Sequence, residues 1–299
     1  MSKSIITIPI DASFSFSECL WYLNRNFDDC LHQIGKDYII KSLKIDKNQV
    51  LFKISAEENA LKIAIQQGSE DTATQDTIKD YVIEWLDLEK DLDPFYKLLK
   101  RNNALAYMIK DFQGLRLVGI PDLFEAVCWC IIGQQINLTF AYKIKRRLVE
   151  KYGDNMIHNG TVHYTFPTAQ ILADADEKDL RAMQLSAKKV EYLVTTAKAF
   201  AEGLISKDLL IAMPDFVSRQ NALTSLKGIG VWTANYSLMK SLKEPSCIPF
   251  GDAGLLNALV AHHLIKDKKD VQGIVHFFQQ VPGWESYMAF YFWRSLSIQ

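Results

Sequence analysis

Leu223-Thr224-Ser225-Leu226-Lys227-Gly228-Ile229-Gly230-Val231-Trp232-Thr233-Ala234-Asn235-Tyr236 is the most informative stretch of this 299-residue chain. The pattern predicts a helix ending at Leu226, a tight turn over Lys227–Gly230, and a second helix starting at once. Two glycines in the turn allow dihedrals closed to other residues and a close approach of the backbone to a ligand. A helix start presents unpaired N–H groups and the positive end of its dipole. Such a turn suits one phosphate oxygen, with Gly228, Ile229, Gly230 and Thr233 as the candidate contacts. The plainer reading is a helix–helix turn in which Ile229 plugs the core, and the turn alone fits both.

Outward from this turn the chain divides in two. The first ~70 residues alternate like strands: Ser4–Ile10, Asp37–Ile45, Gln49–Ser55 and Leu61–Ile65, with one helical pattern at Ser15–Phe27 and a break at Gln67-Gly68-Ser69. From Thr72 onward apolar residues recur at helical spacing, punctuated by Gly and Pro. Thr161–Phe166 is the exception, a candidate hairpin arm. A junction at Asp93-Pro94 gives expected domains at 1–92 and 93–299, with the helical pair at 223–242 and a Gly/Pro loop at 249–252. The expected class is α+β: a small mixed α/β N-terminal domain followed by a larger all-helical body.

Composition limits the possibilities. Hydrophobic residues make up 48% and charged residues 23%, the balance of a globular chain. No run reaches the ~20 apolar residues of a membrane span, and no signal-type segment opens the chain, so the expectation is a cytoplasmic protein without membrane contact. Five Cys without paired CxxC spacings, and six His without HExxH spacing, point away from a metal centre. Residues 1–100 hold 12 basic against 17 acidic side chains, and the remainder 22 against 18, so a polyanion would meet the later part. The densest basic stretch is Lys143, Lys145, Arg146, Arg147 and Lys151, readable as a solvated helix face or as a polyanion footprint.

Leu-x-Gly-Ile-Gly-x-x-Thr-Ala resembles the helix-hairpin-helix element of DNA-repair proteins. Asp252 follows Gly230 by 22 positions, closing Pro249-Phe250-Gly251-Asp252. Phe124-Glu125-Ala126-Val127, Gly133-Gln134-Gln135-Ile136, Lys188-Lys189 with Tyr192-Leu193, Trp284-Glu285-Ser286-Tyr287 and Trp293-Arg294 extend the likeness. Together they resemble the DNA-3-methyladenine glycosylase II family of the helix-hairpin-helix glycosylase superfamily, densely from about Phe95 onward. The resemblance implies a TATA-binding-protein-like N-terminal domain and a monomer acting on damaged double-stranded DNA in base excision repair. No organic cofactor is implied, although the hairpin carbonyls of that family can hold a structural cation.

Asp252 takes the family's catalytic position. Breaking an N-glycosidic bond builds positive charge on the sugar, and a carboxylate beside the anomeric carbon stabilises it. As a plain alternative, Asp252 caps the helix beginning at Ala253, and one carboxylate can do both. Trp232 and Tyr236 lie one helical turn apart and, with Trp293, are expected to form an aromatic base pocket suited to a cationic alkylpurine. Strand-cutting lineages carry Lys where Trp232 stands, so no Schiff base is expected. The target nucleotide must leave the stack, and Gln135 occupies the gap-filling position, where the familiar pattern has Leu; the alternative is a buried Gln tying its loop to a helix. Ala253 stands where some relatives place a pocket Tyr, which implies a roomier or differently lined pocket. Two rival readings remain, a non-catalytic DNA-binding module and a glycosylase for deaminated bases such as hypoxanthine.

Overall fold

The computed structural model describes residues 5–11, 13–25 and 27–296; Ser4, where the first strand was expected to begin, lies outside them. The chain opens with β1 (Ile5–Pro9), α1 (Phe16–Leu23), β2 (His32–Ile34), β3 (Tyr38–Ile45), β4 (Asn48–Glu57), β5 (Ala60–Gln67) and α2 (Thr72–Leu86). The strands form one antiparallel sheet in the order β1-β5-β4-β3-β2. Strict alternation in β5 buries Leu61, Ile63 and Ile65, while Lys62 pairs outward with Thr7. Register follows from that alternation, since a one-residue slip would expose every one of these side chains.

One sequence expectation needs adjustment here, and one strand was not expected. The helix expected over Ser15–Phe27 stops at Leu23, because Asn24 closes it through its N–H to Leu20 O at 2.9 Å. Phe27 then leaves the helical path and stacks on Tyr142, with centroids 5.0 Å apart and planes 13° apart. The strand β2 carries no alternation of its own and exists through its ladder to β3.

The body follows as α3 (Asp93–Leu99), α4 (Met108–Asp111), α5 (Leu123–Gly133), α6 (Leu138–Tyr152), β6 (Asn155–His158), β7 (Thr161–Tyr164), α7 (Ala169–Ala173), α8 (Glu177–Ala182) and α9 (Ala187–Ala201). Then come α10 (Lys207–Ile211), α11 (Phe216–Thr224), α12 (Val231–Ser237), α13 (Ala253–Ala261), α14 (Val271–Phe278) and α15 (Glu285–Ser295). The body is helical except for the β6–β7 hairpin, which docks on the N-terminal sheet: Gln49 Nε2 donates to His163 O at 3.2 Å, and Lys44 pairs with Asp154 at 2.6 Å.

Both parts share a continuous apolar core running from Ile6 in β1 to Phe292 in α15. The basic stretch of α6 belongs to this union. Lys145 is buried and donates to Asp29 and Glu125, Arg146 pairs with Asp28 and Glu150, and Lys151 pairs with Asp179. Acids of the N-terminal part and of the body thus take up the charges of Lys145, Arg146 and Lys151, while Lys143 and Arg147 remain on the exposed face of α6.

Candidate active site and nucleic-acid surface

The α11–α12 turn contains one strained glycine and one open one. Gly228 has φ +85°, and a Cβ there would lie 2.2 Å from the Tyr192 ring. The aromatic ring at Tyr192 and the glycine at 228 therefore require each other. Gly230 begins α12 with ordinary φ −91° and no side-chain cap, and a Cβ on it would meet nothing within 4 Å. Most other helices here begin at a Ser, Thr, Asp or Asn whose side chain takes an N–H, as Asn137 does for α6 and Ser186 for α9. At α12 those amide groups have no such side chain.

Ile229 and Thr233 are buried. Ile229 thus does plug the core, and neither side chain faces solvent; contact with a phosphate at these positions would come from the backbone. After Ser237 the helix passes into a π-helical turn over Leu238–Leu242. That turn carries Lys240 inward, where its Nζ donates to Tyr22 OH at 3.0 Å.

The turn is tied to the loop after α5 through Gln134, whose Nε2 donates to Gly228 O at 3.0 Å and to Thr233 Oγ1 at 3.4 Å. Lys189 braces the same loop by donating to Ile132 O at 2.7 Å. The neighbouring Gln135 is exposed, sits at φ +56°, and makes no hydrogen bond among the described residues. The tethering glutamine is Gln134, and Gln135 stands free at the rim.

Asp252 begins α13. Its Oδ1 accepts the Leu255 N–H at 2.7 Å and the Trp293 indole N–H at 2.8 Å. Its Oδ2 has no hydrogen-bond partner among the described residues. Gly254 makes the indole approach possible, since a Cβ there would lie 3.1 Å from both Asp252 Oδ1 and Trp293 Cδ1. The loop leading to Asp252 is pinned from two sides. Asn235 in α12 donates to Ile248 O at 2.7 Å, and Ser286 in α15 donates to Glu244 O at 2.6 Å. The cap and the carboxylate function are thus compatible in one side chain.

Asp252 opens onto a cleft of about 870 Å³, within the ~300–1,000 Å³ of typical small-molecule sites. Trp232, Tyr236 and Trp293 line it together with Gln135 and Ala253. Tyr236 stands between the two indoles, its ring centroid 5.7 Å from that of Trp232 and 5.8 Å from that of Trp293. Burial pushes the Tyr236 phenol well above its ordinary pKa, so it acts as a neutral aromatic surface. Trp284 stacks on Phe95 with centroids 5.3 Å apart, a core position.

Sequence reasoning missed the wall supplied by the N-terminal part and by α5 and α6: Tyr22, Arg25, Trp129 and Tyr142. No local motif marks Tyr22 or Arg25, since they reach the cleft only because α1 docks on the body. Arg294, next to Trp293, holds that docking through Glu18 at 2.7 Å. Behind this wall lies a chamber of about 60 Å³ bordered by Asp29, His32, Lys41, Glu125, Lys145 and Lys240. For Tyr22, burial opposes ionisation, but Lys240 and Arg25 beside it prevail and hold its phenol down to about 8. Burial pushes the Cys19 and Cys130 thiols up to about 12, leaving them unreactive. Among the described residues no cluster of His, Cys, Asp and Glu is arranged to hold a metal ion, and no helix is long and apolar enough to cross a membrane.

Known proteins resemble the chain over most of its length. Residues 128–281 match the HhH-GPD superfamily base excision DNA repair protein family, and residues 14–127 match the 8-oxoguanine DNA glycosylase N-terminal domain. A DNA-3-methyladenine glycosylase of Bacillus subtilis is 35% identical over 299 residues, spanning 98% of each chain. Among solved structures, a 3-methyladenine DNA glycosylase from Archaeoglobus fulgidus superposes with a TM-score of 0.80 at 22% identity, over 96% of this chain and 97% of that one. An 8-oxoguanine glycosylase/lyase of Clostridium acetobutylicum, in complex with double-stranded DNA, shares the fold with a TM-score of 0.69 at 18% identity, over 91% and 99%. The hairpin, the aspartate after it and this whole-length similarity place the chain in the helix-hairpin-helix superfamily of base excision DNA glycosylases, within its DNA-3-methyladenine glycosylase family.

Proposed function

We propose that the chain is a monofunctional glycosylase of the type II kind, which hydrolyses the N-glycosidic bond of 3-methyladenine and related alkylpurines in duplex DNA. The observation that carries this reading is Asp252, held by one oxygen and free at the other, in an aromatic cleft beside the hairpin. The backbone of Gly228–Gly230 and the start of α12 anchor one phosphate without reading bases. The damaged nucleotide leaves the stack and enters the cleft, while Gln135 fills the space it vacates. Trp232, Tyr236 and Trp293 stack on the cationic base. As the base departs, Asp252 Oδ2 faces the positive charge developing on the sugar and orients the attacking water.

Strand cleavage by a Schiff base needs an amine at the sugar. Trp232 offers none, and Lys240 is engaged with Tyr22 OH and Val118 O in the interior. The product on this reading is an intact strand with an abasic site. No organic cofactor takes part, and a cation at the hairpin would share Gly228 O with the Gln134 amide; no step depends on it. On this reading the protein works as a monomer in the cytoplasm.

The test is base release from methylated duplex DNA, with products identified by chromatography, followed by borohydride treatment. Free 3-methyladenine, no covalent adduct, and strand breakage only after alkali are expected. A trapped adduct would show that an amine reaches the sugar and that the monofunctional reading is wrong.

A further inference from the structure

The cleft contains a positive charge for which a cationic base has no use. Arg25 lies just beyond α1 and lines the cleft with Tyr22, Tyr142, Tyr236 and Asp252. Its Nε donates to Tyr22 O at 2.9 Å, and its guanidinium carbon lies 4.1 Å from the centre of the Tyr22 ring. These two contacts fix its place from the side of its own helix. Arg116, Arg146, Arg219 and Arg294 each have a carboxylate partner; among the described residues Arg25 has none. Burial opposes its charge, and the groups that favour it are the phenols of Tyr22, Tyr142 and Tyr236.

A guanidinium in this position discriminates between leaving groups. When the C1′–N bond breaks, its electron pair goes to the base. A base alkylated at a ring nitrogen starts cationic and leaves neutral, so a nearby arginine repels it at the start and adds nothing later. A neutral base starts uncharged and leaves as an anion, and an arginine at its edge then stabilises the charge as it develops. The planar fork also matches two adjacent acceptors, such as O6 and N7 of a 6-oxopurine.

We propose that Arg25 is the specificity-determining residue that extends excision to neutral 6-oxopurines, holding O6 and N7 and taking up the charge that gathers on the departing ring. This rests on the glycosylase reading of the Asp252 cleft. The step balances without an added reactant: water oxygen bonds to C1′, the C1′–N9 bond breaks with its pair on the base, and one water proton ends on that base.

The experiment compares single-turnover release of hypoxanthine from a deoxyinosine duplex with release of 3-methyladenine from methylated duplex, for the wild type, Arg25→Gln and Arg25→Lys. Thermal melting confirms that the variants are folded. The wild type should release both bases. Arg25→Gln should slow hypoxanthine release by about 10²-fold, the loss typical of one electrostatic stabiliser, and slow 3-methyladenine release several-fold at most. Arg25→Lys keeps the charge and should recover part of the hypoxanthine rate. A wild type that releases 3-methyladenine but no hypoxanthine overturns the proposal and leaves the alkylpurine reading standing. Equal slowing of both reactions by Arg25→Gln also overturns it, as does Arg25→Lys no faster than Arg25→Gln on hypoxanthine. Release of neither base overturns the glycosylase reading and this proposal with it.

Discussion

Trp293 donates its indole N–H to the very oxygen of Asp252, Oδ1, that also caps α13 at Leu255. Two elements distant in sequence, the start of α13 and the end of α15, thereby fix one carboxylate. Saturating Oδ1 with two N–H donors leaves Oδ2 as the oxygen that meets the substrate on the proposed reading. The indole consequently has two places in the site, since its ring also lines the cleft.

Mutation separates the two. Asparagine keeps a carbonyl oxygen able to accept both N–H groups, so Asp252→Asn should fold and cap normally while losing the charge. Single-turnover release of 3-methyladenine should fall by about 10²-fold or more. A folded Asp252→Asn protein with near-normal excision would remove Asp252 from the chemistry. Trp293→Phe keeps an aromatic face and loses only the N–H. It should cost about tenfold in rate, matching the ~1.5 kcal/mol of a hydrogen bond to a charged group. No loss in Trp293→Phe would mean that the cap alone orients the carboxylate.

The two hairpin glycines should respond differently. Gly228→Ala places a methyl group against Tyr192 at a φ of +85°, and should destabilise the fold by about 2 kcal/mol or more. Gly230→Asp adds its side chain in open space, so melting should barely change. Affinity for duplex DNA should fall on the order of tenfold, equally for every sequence, because a phosphate contact carries no base information. Fluorescence anisotropy on several unrelated duplexes checks this. Unchanged affinity in folded Gly230→Asp would move the DNA path away from the hairpin.

Adjacent glutamines supply a third contrast. Gln134→Ala loses the bonds to Gly228 O and Thr233 Oγ1 and should cost about 1 kcal/mol of stability in urea unfolding. Gln135→Ala removes an exposed side chain and should change stability by less than ~0.5 kcal/mol. If Gln135 fills the vacated gap, the ratio of excision from duplex to excision from single strand should fall by about tenfold, since only the duplex has a stack to hold open. A constant ratio would exclude that role.

What the sequence made legible was local. Helical spacing marked the chain from Thr72 onward and strand-like alternation the part before it, and the motifs delivered Asp252, Trp232, Tyr236 and Trp293 to one cleft. Periodicity tells which face of a helix is apolar but not what that face meets. Tyr22 and Arg25 were therefore invisible as cleft residues, because their place depends on α1 packing against a body that begins about seventy residues later. The same limit misrepresented α6. Lys145 and Arg146 look like surface charges until Asp28 and Asp29 arrive from the other part of the chain. Thr233 illustrates the converse, a polar residue in a ligand-facing motif that turns inward to accept from Gln134.

The union at Asp29 makes the last prediction. Lys145 Nζ donates to both Asp29 oxygens at 3.2 and 3.1 Å and to Glu125 Oε1 at 3.2 Å, in a largely buried setting. Burial opposes the charge on Asp29, but Lys145 first and His32 next hold its carboxyl well below the ordinary 3.8. The folded chain therefore keeps Asp29 ionised at pH values where the unfolded chain takes up a proton. Its stabilisation is complete above the ordinary carboxylate value and is lost as pH falls below that value towards the folded one. Asp29→Asn leaves Lys145 with Glu125 alone, and should cost about 3 kcal/mol at pH 7, the usual scale for breaking a buried pair. Urea unfolding of the wild type and Asp29→Asn at pH 7, 5 and 3 gives the difference directly. It should be the same at pH 7 and 5 and smaller at pH 3, where the wild type has begun to lose what the variant never had. A difference that stays constant down to pH 3 would show that the Asp29 charge does not hold the two parts together.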